Sequence, residues 1–370
     1  MIITKIEVLV VDVPFIKPFK IASGITPTER VIVKVHTDEN LLGLGESRPN
    51  PAFGGETAED VAVAIKYFER HLLGRNPFEI EKILQLMDTV LPEHHFAKWG
   101  LDMALYDLKA KALKVPLYEL LGGCYREKMP LGWAVGIGST QSMVDDAVNG
   151  LKKGFKAIKV KIGNDPVTDI RNVKAVRDAI GPDVPLRVDA NQGYTPDMAV
   201  RALRKMERYD LQLIEQPVPA WDLRGMSKIA KSLDTPIMAD ESVSKPQDVI
   251  RIFETGAASI LNIKLAKLGG IRKGKQITAI ASALDLPCFG SGMNEIAMGV
   301  AASAHFMAST NNVNFEFEFA SGIFFVEDTL VKETLKVTDG MLEVPRKPGL
   351  GVELDEEKII KYRKDSTGFS

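Results

Sequence analysis

Cysteine is nearly absent: Cys124 and Cys288 are the two among 370 residues. That number excludes a disulfide framework and a thiolate metal site, and it suits a reducing compartment. The five histidines form no His-x-x-x-His pair, and the adjacent His94 and His95 precede a helix-like stretch, so no chemistry is assigned to them. No apolar run approaches the ~20 residues of a membrane span, and charge appears as early as Lys5, too soon for a secretory signal. With a net charge of only -2 there is no basic surface for nucleic acid. Gly269-Gly270 and Gly290-Ser291-Gly292 lack the lysine pattern of a phosphate loop and read as tight turns. The expectation is a soluble, cytoplasmic protein with a small ligand, bound to neither nucleic acid nor membrane.

What is present is apolar residues, at 45% of the chain, enough for a large core. The length exceeds the roughly 250 residues of a (β/α)8 barrel, so a barrel with a smaller domain is expected. Residues 1–125 read as an α+β unit. Ile2–Val11, Glu29–His36 and Leu41–Glu46 are strand-like. Three helices follow: Val61–Leu73 behind a Thr57/Asp60 capping box, Phe78–Val90 behind Asn76-Pro77, and Ala97–Leu113. Residues 126–328 alternate strand and helix, the pattern of a parallel α/β architecture. Asp165-Pro166 and Thr195-Pro196 mark two helix starts, and the first barrel strand falls within Pro130–Ile137. Residues 329–370 are expected to return to the first unit.

Five charged residues recur within the barrel portion. Asp189 lies 28 residues after Lys161, Glu215 a further 26, Asp240 a further 25 and Lys264 a further 24. Each interval fits one strand and one helix, and each residue closes a short apolar run. That is how charges reach the mouth of a barrel. Asp189, Glu215 and Asp240, on three consecutive strands, are hard oxygen donors suited to Mg2+ or Mn2+. Lys159 and Lys161 share the inward face of one strand. Their mutual repulsion, increased by a nearby metal ion, is expected to lower the pKa of at least one, making it a base. Lys264, four strands away, should face Lys161 across the site, so that one lysine removes a proton and the other returns it to the opposite face. Three carboxylates, a divalent ion and two ammonium groups sum to +1, which favours an anionic substrate. In Asn314–Phe319 strict alternation sends Phe315, Phe317 and Phe319 towards the helices, leaving Glu318 at the mouth.

The ordered set Lys159-Val160-Lys161, Asp189-Ala190-Asn191, Glu215-Gln216-Pro217, Asp240-Glu241-Ser242 and Asn262-Ile263-Lys264 resembles the enolase superfamily, in its muconate-lactonizing subgroup. The resemblance implies a modified (β/α)7β TIM barrel with an N-terminal α+β capping domain, the eighth helix being replaced by chain that returns to the cap. It implies Mg2+ on Asp189, Glu215 and Asp240, with Lys161 and Lys264 as the acid/base pair. Lys159 would tune Lys161, and Asn191 and Glu241 would support the ligands. The cap loops, through Phe19, Ile21 and Phe53, would select the substrate together with Met293, Asn294 and Glu318. Members of the subgroup commonly form homo-oligomers, as dimers or octamers. The implied activity is proton abstraction next to the carboxylate of an amino-acid derivative, such as an N-acyl amino acid or a dipeptide, through an ene-diolate. Muconate cycloisomerisation and dehydration of the o-succinylbenzoate synthase type are the alternatives. Dipeptide epimerases of the family carry Asp-x-Asp at the end of the eighth strand; here Glu318-Phe319-Ala320 lacks the second acid, which argues against a free dipeptide amine.

Overall fold

The computed structural model describes residues 1–364; the last six residues of the tail expected to return to the cap lie outside it. Three antiparallel strands, Ile3–Asp12, Glu29–Thr37 and Leu42–Ser47, form one sheet in that order. Helix Ala58–Leu72 begins at the capping box read from the sequence, Thr57 Oγ1 accepting from Asp60 N and the Asp60 carboxylate from Thr57 N. Asn76 instead makes a local turn by accepting from Phe78 N, and the next helix starts later, at Ile80. The long helix His95–Ala112 lies almost on the third strand. A Cβ at Gly43 would meet the Ala104 carbonyl oxygen at 2.2 Å, and one at Gly45 the Gly100 oxygen at 2.0 Å. Glycine at those two positions sets the spacing of helix and sheet.

Seven parallel strands follow, in spatial order of the chain: Gly132–Val135, Ala157–Lys161, Leu186–Asp189, Leu211–Glu215, Ile237–Ala239, Ile260–Ile263 and Cys288–Gly290. The eighth position is a sparsely bonded stretch. Glu318 N donates to Gly290 O at 2.9 Å and Gly132 N to Phe317 O at 2.8 Å, which closes the sheet between its seventh and first strands. Asp165 caps helix Pro166–Ile180 through Thr168 N, and helix Pro196–Met206 likewise opens on proline. Beyond Glu318 there is a short turn, helix Gly322–Phe325, and then chain running back along Pro14 and Ile16. This is a (β/α)7β barrel with an α+β cap, as the resemblance implied. No helix among the described residues is long and apolar enough to cross a membrane.

The expected alternation of Asn314–Phe319 fails at one position. Phe317 and Phe319 pack outward with the main core, but Phe315 has φ +85° and turns inward, 5.8 Å from the Phe289 ring among Leu213, Met238 and Ile260. A single left-handed residue resets the two-residue period of a strand. The tail closes on the cap. Arg363 bridges Val11, Lys34 Nζ lies 2.8 Å from Glu356, and Asp107 on the long helix accepts from both Leu44 N and Leu350 N at 2.8 Å.

Candidate active site

At the C-terminal mouth of the barrel the charged strand ends meet. Lys159 and Lys161 lie side by side on the second strand, two residues apart and facing inward, as a period of two requires. Lys159 Nζ is 2.9 Å from Glu215 Oε2 and also contacts Glu318. Lys161 Nζ lies 2.5 Å from Asp189 Oδ2 and 3.0 Å from Asn191 Oδ1. Opposite, Lys264 contacts Asp240 Oδ2, and its ammonium sits 5.2 Å from the Phe53 ring of the cap. Asn262, inward on the sixth strand, donates to Glu215 Oε1 at 2.5 Å.

These contacts bear on the expectation for Lys159. Lysine crowding was to lower a pKa, and burial does act in that direction on Lys159. The charges of Glu215, Glu318 and Asp189 outweigh it and raise Lys159 above its ordinary value. Lys264 is raised in the same way by Asp240 and Glu215, against its burial. The carboxylates answer in kind: burial pulls Asp240 up, but Lys264 and Lys267 hold it well below the usual range.

The loops behind the strand ends hold these groups in place at some conformational cost. Asn191, Gln192 and Gln216 all have positive φ, at 40°, 69° and 32°. Such residues persist where surrounding bonds over-determine them. Asn191 N donates to Asp189 Oδ1 at 2.9 Å and its Nδ2 to Glu241 Oε1 at 3.2 Å. Gln216 Oε1 accepts from Asp240 N at 2.9 Å and from Ser242 N at 3.2 Å, fixing the backbone that presents Asp240.

The donor set fits a divalent cation. Asp189, Glu215 and Asp240 are fully buried at the ends of three adjacent strands. Burial and the Asp189 charge push Glu215 up to about 7, while burial with Asp240 and Asp189 pushes Glu241 up to about 8. Glu241 Oε2 is buried without a partner. Buried acids that repel one another in this way are what a hard dication relieves. As they stand, among the described residues no three acids are gathered at ion-holding distance, and Lys159, Lys161 and Lys264 each contact one of them.

A cavity of about 50 Å3 lies over these groups. Phe19, Ile21, Phe53, Met293, Asn294 and Glu318, the six residues expected at the substrate, all line it together with Lys159, Lys161 and Lys264. Four groups went unread in the sequence. Arg187 sits two residues before Asp189 on the same inward face and is fully buried; its Nη1 is 3.0 Å from Glu318 Oε1, and it contacts Glu316. Strand alternation alone identifies it. Lys267, one turn after Lys264, holds Asp240 Oδ1 at 2.7 Å. Thr26 and Arg48 line the cavity from cap loops, where no periodicity marks them.

Residues 5–122 match the model of the mandelate racemase / muconate lactonizing enzyme N-terminal domain, and residues 142–358 match the enolase C-terminal domain-like model. The chain belongs to the mandelate racemase / muconate lactonizing enzyme family. Within the enolase superfamily it falls in the muconate-lactonizing subgroup, whose members named here are isomerases, and it is an isomerase of that superfamily. It is similar to the L-Ala-D/L-Glu epimerase of Bacillus subtilis, 38% identical over 95% of this chain and 96% of that one. Its fold is similar to the dipeptide epimerase of Enterococcus faecalis solved with Mg and L-Leu-L-Tyr, with TM-score 0.91, 34% identity, and 95% of this chain and 100% of that one covered. The 2-chloromuconate cycloisomerase of Rhodococcus opacus superposes with TM-score 0.96 at 33% identity, over 99% and 100% of the two chains. Epimerases and cycloisomerases of this family thus share one backbone.

Proposed function

We propose that this isomerase is a Mg2+-dependent racemase or epimerase acting on the carbon next to the carboxylate of an amino-acid derivative. The observation that carries the reading is the opening of Lys161 and Lys264, from the second and sixth of eight barrel positions, into one cavity. Asp189, Glu215 and Asp240 would hold the cation, which supplies charge stabilisation to the substrate carboxylate as the ene-diolate develops. In one direction neutral Lys161 takes the α-proton and the Lys264 ammonium delivers one to the opposite face; in the other direction the roles exchange. Lys159, already held by Glu215 and Glu318, adds a fixed positive charge beside Lys161. Asn191 and Glu241 keep Lys161 and Asp189 aligned.

Phe19, Ile21 and Phe53 give the cap wall an apolar character, and Met293, Asn294 and Glu318 border the barrel side. Glu318 is bound to Lys159 and Arg187, and Glu316 to Arg187, so neither acid stands free for an ammonium group. That favours an amino acid whose nitrogen is acylated or otherwise blocked. The close fit to the chloromuconate enzyme supports a second reading, cycloisomerisation of a diacid. Deuterium exchange in D2O with Mg2+, followed by mass and NMR on N-acyl amino acids and dipeptides with muconate in parallel, separates them. Exchange at the α-carbon supports the first reading; muconate conversion without any exchange supports the second.

A further inference from the structure

Phe19 also lines a second cavity, of about 500 Å3, between the first cap loop, helix Thr140–Lys152 and the short helix Gly322–Phe325. Its floor is aromatic. Trp133 on the first barrel strand meets Phe325 edge to face at 4.8 Å, and Phe325 stacks on Phe19 at 5.3 Å. Gly150 gives the indole room against the helix, since a Cβ there would meet Trp133 Cγ at 2.5 Å. The polar wall is one helical face, on which Ser142, Asp146, Asn149 and Lys153 recur every three or four residues.

The charges of this cavity are balanced and unused. Lys17 and Lys153 line it with Asp145 and Asp146, yet among the described residues none of the four forms an ion pair. Asp145 accepts from Gln141 Nε2 at 2.8 Å. Asp146 is half-buried, and burial raises its pKa against the Trp133 N–H and the charges of Lys17 and Lys153. The indole N–H, on a residue 3% exposed, has no acceptor at hydrogen-bonding distance. The Lys153 ammonium rests over the indole ring, 5.0 Å from its centre.

A half-buried carboxylate without a partner calls for an ammonium group, and a buried indole N–H for an oxygen. The two are neighbours, as the ammonium and carboxylate on one α-carbon are. Two lysines at the rim add positive charge for that carboxylate, and the aromatic floor suits an apolar body. We infer that this cavity is a second ligand site, for a free apolar α-amino acid: Asp146 takes the ammonium group, Lys17, Lys153 and the Trp133 N–H take the carboxylate, and the side chain packs on Phe324 and Phe325. The site does not depend on which reaction the barrel performs. Because Phe19 borders both cavities, its occupant sits one ring away from the substrate.

Calorimetry on the full chain tests this with Mg2+ removed by EDTA, so that the metal-dependent site proposed for the barrel takes no part. L-Phenylalanine is titrated against phenethylamine, which lacks the carboxylate, and 3-phenylpropionate, which lacks the ammonium group. Phenylalanine is expected to bind roughly 10-fold or more tightly than either analogue, the range of a charged hydrogen-bonded contact. Asp146→Asn should weaken it by a similar factor. The double variant Lys17→Gln/Lys153→Gln should lose most of the discrimination against phenethylamine and keep that against 3-phenylpropionate. The analogue series in the parent chain decides even if a variant does not fold. No binding of phenylalanine, an analogue bound as tightly as phenylalanine, or unchanged binding in Asp146→Asn overturns the site. α-Proton exchange, read separately with Mg2+ present, tests the barrel chemistry, and its absence leaves this site standing.

Discussion

The ammonium of Lys264 lies over the ring of Phe53, 5.2 Å from its centre, so a barrel strand end and the short cap helix Pro51–Gly54 meet at the same atom. The aromatic face attracts the protonated form and shields it from water. The surroundings of the lysine proposed for proton transfer are therefore complete only with the cap seated.

Single lysine variants should separate the two faces of the reaction. Lys264→Ala is expected to lower interconversion of enantiomers by about 100-fold or more, as should Lys161→Ala. Each variant should still exchange the α-proton of the one enantiomer that faces its remaining lysine, seen by NMR in D2O. Exchange of both enantiomers by either variant would rule out two opposed bases.

Asp240 is held by Lys264, Lys267 and the backbone set by Gln216. Asp240→Asn should weaken Mg2+ binding at least 10-fold in calorimetry, because a neutral amide is a poor ligand for a hard cation. Unchanged affinity would remove this residue from the ligand set.

Arg187 neutralises Glu316 and Glu318 inside the barrel. Arg187→Met leaves Glu318 buried and Glu316 half-buried with less compensation and should cost about 3–5 kcal/mol in urea unfolding. Adding Glu318→Gln should recover part of that loss; a double variant no more stable than the single one would mean the pair is not coupled.

His305 is fully buried, with Nε2 3.2 Å from the Leu350 carbonyl oxygen, and burial pushes its pKa down to about 4. The unfolded chain, near the ordinary value of 6.5, binds the proton more readily. Stability from this group is thus fully present above pH 6.5 and falls as pH drops towards 4, by a total of about 3 kcal/mol. His305→Asn should flatten that part of the stability curve, measured as the difference between the two proteins across pH 4 to 7.

A methyl group at Gly45 would meet a backbone carbonyl oxygen of the long helix at 2.0 Å. Gly45→Ala should lower stability by about 1–3 kcal/mol by forcing helix and sheet apart. A melting temperature equal to that of the parent chain would show that the helix yields freely.

The barrel mouth was legible because its five charges obey two periods at once, one strand and helix between residues and alternation within each strand. Lys161 and Asp189, both at strand ends, needed nothing more. Arg187 obeyed the same alternation and was readable in principle. The pKa of Lys159 was not, since its value depends on Glu215 and Glu318, 56 and 159 positions away, as acceptors rather than on its lysine neighbour. Phe315 escaped because one positive φ is invisible in an alternating pattern. Thr26 and Arg48 lie in irregular loops, whose side-chain directions follow from tertiary contacts alone.

The cap is fastened by residues far apart in the sequence: Val11 pairs with Arg363, and Lys34 with Glu356, 322 positions later. During synthesis the first strands leave the ribosome long before these partners exist. The cavity wall that carries Arg48 and Phe53 consequently receives these fastenings only after the barrel strands have been made. A growing chain with its whole barrel already made still lacks a fully secured cap.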